Sequence, residues 1–170
     1  QQQARLANNI IDVDVNSDNT SLRHFAIVLP VLTFGFGTGF SDYNDIYINP
    51  VNIQLQLGGI GTAINPSTTI ADLSAWQSGF SPVQDNNSVS VPPVFISATD
   101  LHLGVSVNPQ LENAALSLPS VTTDYDNEIR PANPDIGADE VPPLSYTYYA
   151  DADGDGYGNV DVSQTACSQP

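Results

Sequence analysis

The chain has no lysine and no methionine, one cysteine, and Arg5, Arg23 and Arg130 as its only fixed cations among 170 residues. Against these stand 19 Asp and Glu, for a net charge of −16. A surface of that sign repels phosphate backbones and anionic lipid, so nucleic acid and acidic membranes are very poor partners, whereas divalent cations are good ones. A lone Cys167 cannot staple the chain internally. Stability must therefore come from a hydrophobic core and bound metal, and a hydrophobic fraction of 41% is enough for such a core. No apolar run approaches the roughly 18 residues of a membrane-spanning helix. The missing methionine and an opening Gln1-Gln2-Gln3 that is no signal peptide lead us to expect a segment of a longer, secreted precursor.

What the carboxylates do have is order. Asp151, Asp153 and Asp155 alternate, with Gly154 and Gly156 after the second and third, and Tyr157, Asn159 and Asp161 follow. Carboxylates held about 4–5 Å apart repel by about 4 kcal/mol per pair at an effective dielectric near 20, so without a cation such a loop splays open. Calcium removes that penalty. It accepts about six to eight hard oxygens in loose geometry, which Asp at loop positions 1, 3 and 5, Gly at 6 and a backbone carbonyl at 7 supply. The expected ligands are Asp151, Asp153, Asp155 and the Tyr157 carbonyl, closed by either Asn159 or Asp161. Position 12 is Val162 rather than a bidentate Glu. For one incomplete loop the affinity expected is in the weak extracellular range, about 10⁻⁴ to 10⁻³ M.

The run from Tyr148 to Asn159, with Cys167 after it, resembles the thrombospondin type 3-like calcium repeats of secreted bacterial surface proteins. In such repeats the cysteine pairs with one further along, which implies a partner for Cys167 beyond Pro170. The resemblance covers residues 146–170.

Upstream, residues 1–141 hold nearly all the aliphatic side chains, and residues 142–145, opening with Pro142-Pro143, read as a stiff extended linker. Nine acids precede residue 121 and ten follow it, so charge is concentrated in the tail. Short strands are expected over 9–15, 25–29, 45–49, 51–57, 94–96 and 101–107, from alternating or continuous apolar runs bounded by Asn, Asp, Gly, Ser and Thr. One helix is expected over 70–77, capped by Thr68 or Thr69, with Ile70, Leu73 and Trp76 or Gln77 near one face and Gly79 ending it. Short strands with polar turns fit an antiparallel sandwich or a parallel solenoid. Neither Asn-Gly nor Asp-Gly occurs between the strands, which weighs against hairpins. At about 20–45 residues per repeat a solenoid here has about four or five coils.

Residues 7–11, 41–47, 73–77, 94–103 and 130–140 resemble, in order, landmarks of secreted right-handed parallel β-helix proteins of the Bacteroidetes type. The hexapeptide Asp135-Ile-Gly-Ala-Asp-Glu140 is the most specific of them and in that family closes the solenoid. The resemblance implies an all-β fold: the last coils of a right-handed parallel β-helix with one short helix, then a small calcium-binding loop module. The stretch Val107 to Asn113 departs from the family's usual Gly-Ser-Pro turn. Asn8, Asn9 and Asn44 are candidates for stacked coil corners, where asparagine adopts left-handed φ and its amide bonds the neighbouring coil.

Parallel β-helices include lyases that use calcium with a basic residue and hydrolases that use clustered Asp. Three arginines in a chain of charge −16 disfavour a polyuronate lyase. Asp42 with Asp45 and Asp124 with Asp126 are raw material for acid–base work, but in loops of this composition turn-capping carboxylates far outnumber catalytic ones, so no catalytic site is assigned. His24 and His102 have no metal-ligating partner at a recognisable spacing, and His102 between Leu101 and Leu103 is expected to face solvent beside Asp100. Arg130 is expected to pair at the surface with Asp126 or Glu128. The expected function is a noncatalytic, calcium-binding segment of a secreted adhesin-like or stalk protein, with extracellular glycans or surface proteins as partners. The alternative is the C-terminal fragment of a polysaccharide-degrading β-helix enzyme whose catalytic residues lie upstream.

Overall fold

A computed structural model gives the structure of residues 5–15, 23–29, 40–49, 55–62, 66–80, 83–104, 107–141, 146–152, 154 and 156–166. The Pro142-Pro143 linker, Asp153, Asp155 and Cys167 lie outside the described residues.

Two passes of the chain run side by side in parallel. β1 (Leu6–Ala7) and β2 (Ile10–Val13) pair with β4 (Ser41–Asp42) and β5 (Asp45–Ile48), with Leu6 opposite Ser41 and Ile10 opposite Asp45. Between the strands of each pair the backbone turns through a left-handed residue, Asn8 at φ 60° and Tyr43 at φ 59°. Asparagine tolerates that region, whereas tyrosine is there only because its surroundings hold it. The Asn8 N–H donates to the Tyr43 carbonyl at 2.9 Å, and the Tyr43 N–H donates to Asp42 Oδ1 at 3.1 Å. The expected asparagine stack is present beside this corner: the Asn9 N–H donates to Asn44 Oδ1, 35 residues on, at 3.0 Å.

β3 (His24–Leu29) continues the parallel arrangement by pairing with β6 (Leu55–Gly61). β7 (Pro66–Ile70) then runs antiparallel to β6, and α1 (Leu73–Ser78) follows. The helix cap is the Asp72 carboxylate, which accepts the Ala75 N–H at 2.8 Å. Thr68 and Thr69 instead lie in β7, opposite Ile60 and Gly59. Leu73 and Trp76 share the buried face as the spacing predicts, and Trp76 packs with Phe80, Ile46, Leu57, Ile60 and Ile70 into the first core. Gly58 is required here by close approach, because a Cβ would sit 2.4 Å from the Trp76 ring.

A second core gathers Leu103, Leu111 and Ile136 with Ile10, Val89 and Phe95. Over it lies a hairpin of β8 (Phe95–Ser97) and β9 (Asp100–Leu103). Its Ala98-Thr99 turn is closed by Ser97 Oγ, which accepts the N–H of Asp100 at 3.0 Å and of Thr99 at 3.3 Å. The chain ends in β10 (Tyr146–Ala150) and β11 (Asn159–Ala166), also antiparallel.

This architecture overturns the right-handed parallel β-helix expected from the sequence. Among the described residues the strands form five small sheets of two or three strands, and the β6–β7, β8–β9 and β10–β11 pairings are antiparallel. Among the described residues there is no solenoid sheet. Part of the physical reason lies after residue 80. The third pass, from Gln84 to Val91, contributes one parallel bridge, Val89 to Asp45. Only Val89 and Val91 of this pass are apolar and pack on the second core, and Gln84 to Ser88 is held by polar side chains instead. Pro92, Pro93 and the turn-rich stretch that follows supply few ladder donors. Among the described residues no helix is long and apolar enough to cross a membrane.

Asp45 is fully buried under β2 and the third pass. Its Oδ1 accepts the Val91 N–H at 3.0 Å, while Oδ2 has no hydrogen-bond partner. Burial, reinforced by Asp12, pushes the carboxyl up from 3.8 to about 7, against the lowering effect of the Val91 N–H. The fold thus favours the neutral acid, so this contribution is complete below 3.8 and is lost as pH rises through about 7. Urea melts across that window are expected to show a decline of about 2–4 kcal/mol from this group. Asp45→Asn keeps the shape without the charge and should flatten the profile. An unchanged pH slope in the variant would assign the effect elsewhere.

Candidate functional site

Two groups of side chains invite a metal ion. The first is the loop between β10 and β11. Ala150 opposite Asn159 closes its neck, with a register shift between Tyr149 and Ala150. Inside the neck the Asp151 carboxylate accepts the Gly154 N–H on Oδ1 at 2.8 Å and the Gly156 N–H on Oδ2 at 3.0 Å. Those bonds curl the backbone around Asp151. The curl needs left-handed residues, and Gly154 at φ 74° and Gly156 at φ 88° provide them without a steric penalty. Asn159 Oδ1 accepts the Asp161 N–H at 2.9 Å, and Tyr157 stands exposed. Of the ligands expected from sequence, Asp151, Tyr157, Asn159 and Asp161 thus lie on or at the rim of one curled loop. Asp153 and Asp155 are outside the described residues.

The second group was not legible as a site. Asp100 and His102 alternate along β9 and so share a face. The Asp100 carboxylate contacts His102 Nδ1, and His102 Nε2 lies 2.8 Å from Asp126 Oδ2. Asp126 is presented by a tight turn in which Asp124 Oδ1 accepts the N–H of Asp126 at 2.9 Å and of Glu128 at 2.8 Å. Beneath lies Asp139, buried, with Oδ2 accepting the Leu103 N–H at 2.9 Å. Ligating atoms of His102, Asp126 and Asp139 all fall within 4.8 Å of one another. The Tyr125 ring stands edge-on to the imidazole at 6.4 Å.

Electrostatics in this cluster follow the contacts. Hydrogen bonds to the Asp100 and then the Asp126 carboxylate raise the His102 imidazole above its ordinary value, and the bond from His102 lowers Asp100. His102 is therefore half-buried and engaged on both ring nitrogens, not turned freely to solvent as the leucine spacing suggested. The alternation of Asp100 and His102 was the one available signal. Asp126, 24 residues away, is brought in only by the fold.

Other expectations about side chains are corrected. Arg130 does not pair at the surface with Asp126 or Glu128. It is buried and donates from Nη1 to Glu140 Oε1 at 2.5 Å and from Nη2 to the Gly137 carbonyl at 2.8 Å. Burial pushes the Glu140 carboxyl up, and Asp135 and Asp124 add to that, whereas the Asp135 N–H and Arg130 oppose it. The Asp135–Glu140 hexapeptide is thereby a knot of internal acceptors, with Asp135 taking the N–H groups of Asn113 at 2.5 Å and Val141 at 2.8 Å. Of the carboxylates considered for catalysis, Asp126 faces His102 and the other three serve the backbone or the interior. Asp42 accepts from the Asn87 N–H at 2.7 Å and its Nδ2 at 2.9 Å, Asp124 caps its turn, and Asp45 is sealed in the interior. His24 is half-buried, with Nε2 unpartnered.

The neck of the β10–β11 loop depends on Gly158, where a Cβ would lie 2.3 Å from Tyr149 Cβ and 2.9 Å from its carbonyl oxygen. Gly158→Val is expected to break the Ala150–Asn159 pairing. Cross-strand nuclear Overhauser contacts there should vanish while those between Phe95 and Leu103 persist. Survival of the Ala150–Asn159 contacts would show that the neck tolerates a side chain.

No protein-family model, curated protein or solved structure matches this chain.

Proposed function

We propose that the chain is a noncatalytic, calcium-binding segment of an extracellular surface protein, with Ca²⁺ closing the 151–161 loop. The observation that carries this reading is the Asp151 carboxylate drawing the N–H groups of Gly154 and Gly156 around itself. That curl matches what alternate Asp residues need in order to face one ion. Asp151 starts the ligand set, Asp153 and Asp155 add the other carboxylates, the Tyr157 carbonyl follows, and Asn159 or Asp161 closes it. A net charge of −16 draws divalent cations and makes anionic partners unfavourable.

The noncatalytic part of the reading is supported by what three of the four paired carboxylates do; the fourth, Asp126, faces His102. Asp42, Asp45 and Asp124 are committed to backbone donors or to the interior, which leaves them no role at a reacting atom. Partners in this reading are calcium together with extracellular glycans or surface proteins, and the location is secreted or at the cell surface.

Terbium luminescence tests the site. Tyr148, Tyr149 and Tyr157 flank or occupy the loop, whereas the one tryptophan, Trp76, is in the first core. Tyrosine-sensitised emission that Ca²⁺ displaces is the expected result, with Asp151→Asn weakening Ca²⁺ by about tenfold or more through loss of a charged ligand. Emission insensitive to Ca²⁺, or unchanged in Asp151→Asn, would remove the loop from the account.

A further inference from the structure

The His102 cluster has a donor set that the calcium reading does not use. We propose that His102 Nε2 and the carboxylates of Asp126 and Asp139 hold a second metal, a transition-metal dication of the zinc class, with Asp100 orienting the imidazole from behind.

Three separate stretches supply the ligands, and each is fixed by bonds that need no metal. Leu103 N–H, next to His102, is bonded to Asp139 Oδ2. The 124–128 turn is tied to the hexapeptide by the Tyr125 N–H donating to the Ala138 carbonyl at 2.9 Å and the Glu140 N–H donating to Asp124 Oδ2 at 3.2 Å. The hexapeptide in turn is anchored by the Gly137 N–H on the Asn8 carbonyl at 3.2 Å. The three donor groups are therefore convergent before any ion arrives.

The chemistry of the donors selects the ion. One imidazole nitrogen with two carboxylates suits zinc, cobalt, nickel or manganese, whereas calcium and magnesium take oxygen donors almost exclusively. Histidines that ligate such metals typically give the other ring nitrogen to a carboxylate, which fixes the tautomer and the ring direction. Asp100 occupies that position against Nδ1. Nε2 is thereby aimed at Asp126 and Asp139. Two ligands on a tetrahedral zinc at about 2.0 Å are about 3.3 Å apart. Nε2 and Asp126 Oδ2 stand at 2.8 Å and must open slightly, a movement that the half-exposed Asp126 on its surface turn can make. With three protein ligands, a tetrahedral ion keeps a fourth position for water or another ligand.

The test uses the full chain with Ca²⁺ at saturation, so that the acidic loop is filled, and Zn²⁺ as the probe. The sequence has two histidines, so ring ¹⁵N spectra report each one. Zinc is expected to shift the His102 ring signals at a 1:1 ratio and leave His24 in place. Calorimetry should show His102→Gln losing at least tenfold in zinc affinity. Asp100→Asn should lose about tenfold while His102 still responds to zinc, as an outer carboxylate predicts. Zinc affinity equal in wild type and His102→Gln, or zinc binding that leaves the His102 ring signals unmoved, would overturn the proposal and reduce the cluster to an ion-paired surface histidine.

Discussion

The Asp85 carboxylate is wholly buried, and the donors that satisfy it come from separate stretches of chain. Ser41 Oγ, Asn44 Nδ2 and Ser88 Oγ donate to Oδ1 at 2.8, 3.1 and 2.7 Å, and Trp76 Nε1 donates to Oδ2 at 2.8 Å. A buried carboxyl that loses such partners is left unsatisfied, at a cost of about 1–3 kcal/mol per group. The network therefore fixes which residue of the second pass lies over which residue of the third. Asn44 extends the constraint to the first pass through Asn9 and the Leu6 carbonyl. Slipping either register by one residue would turn the apolar face of β5 outward and strand Asp85 without donors.

The rest of the molecule is positioned from that point. With the first pass held, the Asn8 side chain pairs with the Leu116 backbone, donating to its carbonyl at 2.8 Å and accepting its N–H at 2.9 Å. The Asn8 carbonyl accepts the Gly137 N–H, which seats the hexapeptide on the second core. Asp139 and the 124–128 turn then meet His102. The chain thus uses its acids in two ways. Buried ones, such as Asp85 and Asp135, serve as acceptors that lock turns, while Asp126 and Asp139 converge with the His102 imidazole.

Local features were the most legible in the sequence. Alternation marked β2 and β5, and the continuous apolar run marked β3. Of the candidate corner asparagines only Asn8 adopts left-handed φ, while Asn44 bonds the Asn9 backbone. The acidic loop stands out in the sequence because its alternating Asp residues lie within one short stretch. Pairing direction was not legible, because an apolar strand looks the same whether its neighbour is parallel or antiparallel. The missing Asn-Gly and Asp-Gly dipeptides argued against hairpins, yet Ser97 Oγ closes the β8–β9 turn with side-chain chemistry instead. The helix start was misplaced because Thr68 and Thr69 are as good cap residues as Asp72 until β7 claims them. His102, Asp126 and Asp139 are joined only by tertiary packing. No spacing rule reaches across it.

The claim that the Asp85 network holds the parallel passes together is tested most directly by native-state hydrogen exchange read residue by residue. The amides of Asn44, Asp85 and Val89, bonded respectively to Ser88 Oγ, the Ser41 carbonyl and the Asn44 carbonyl, should exchange only through global unfolding. Their opening free energies should equal one another and the overall stability. Exchange of these amides through local openings, at rates like those of the β10–β11 hairpin, would contradict the account.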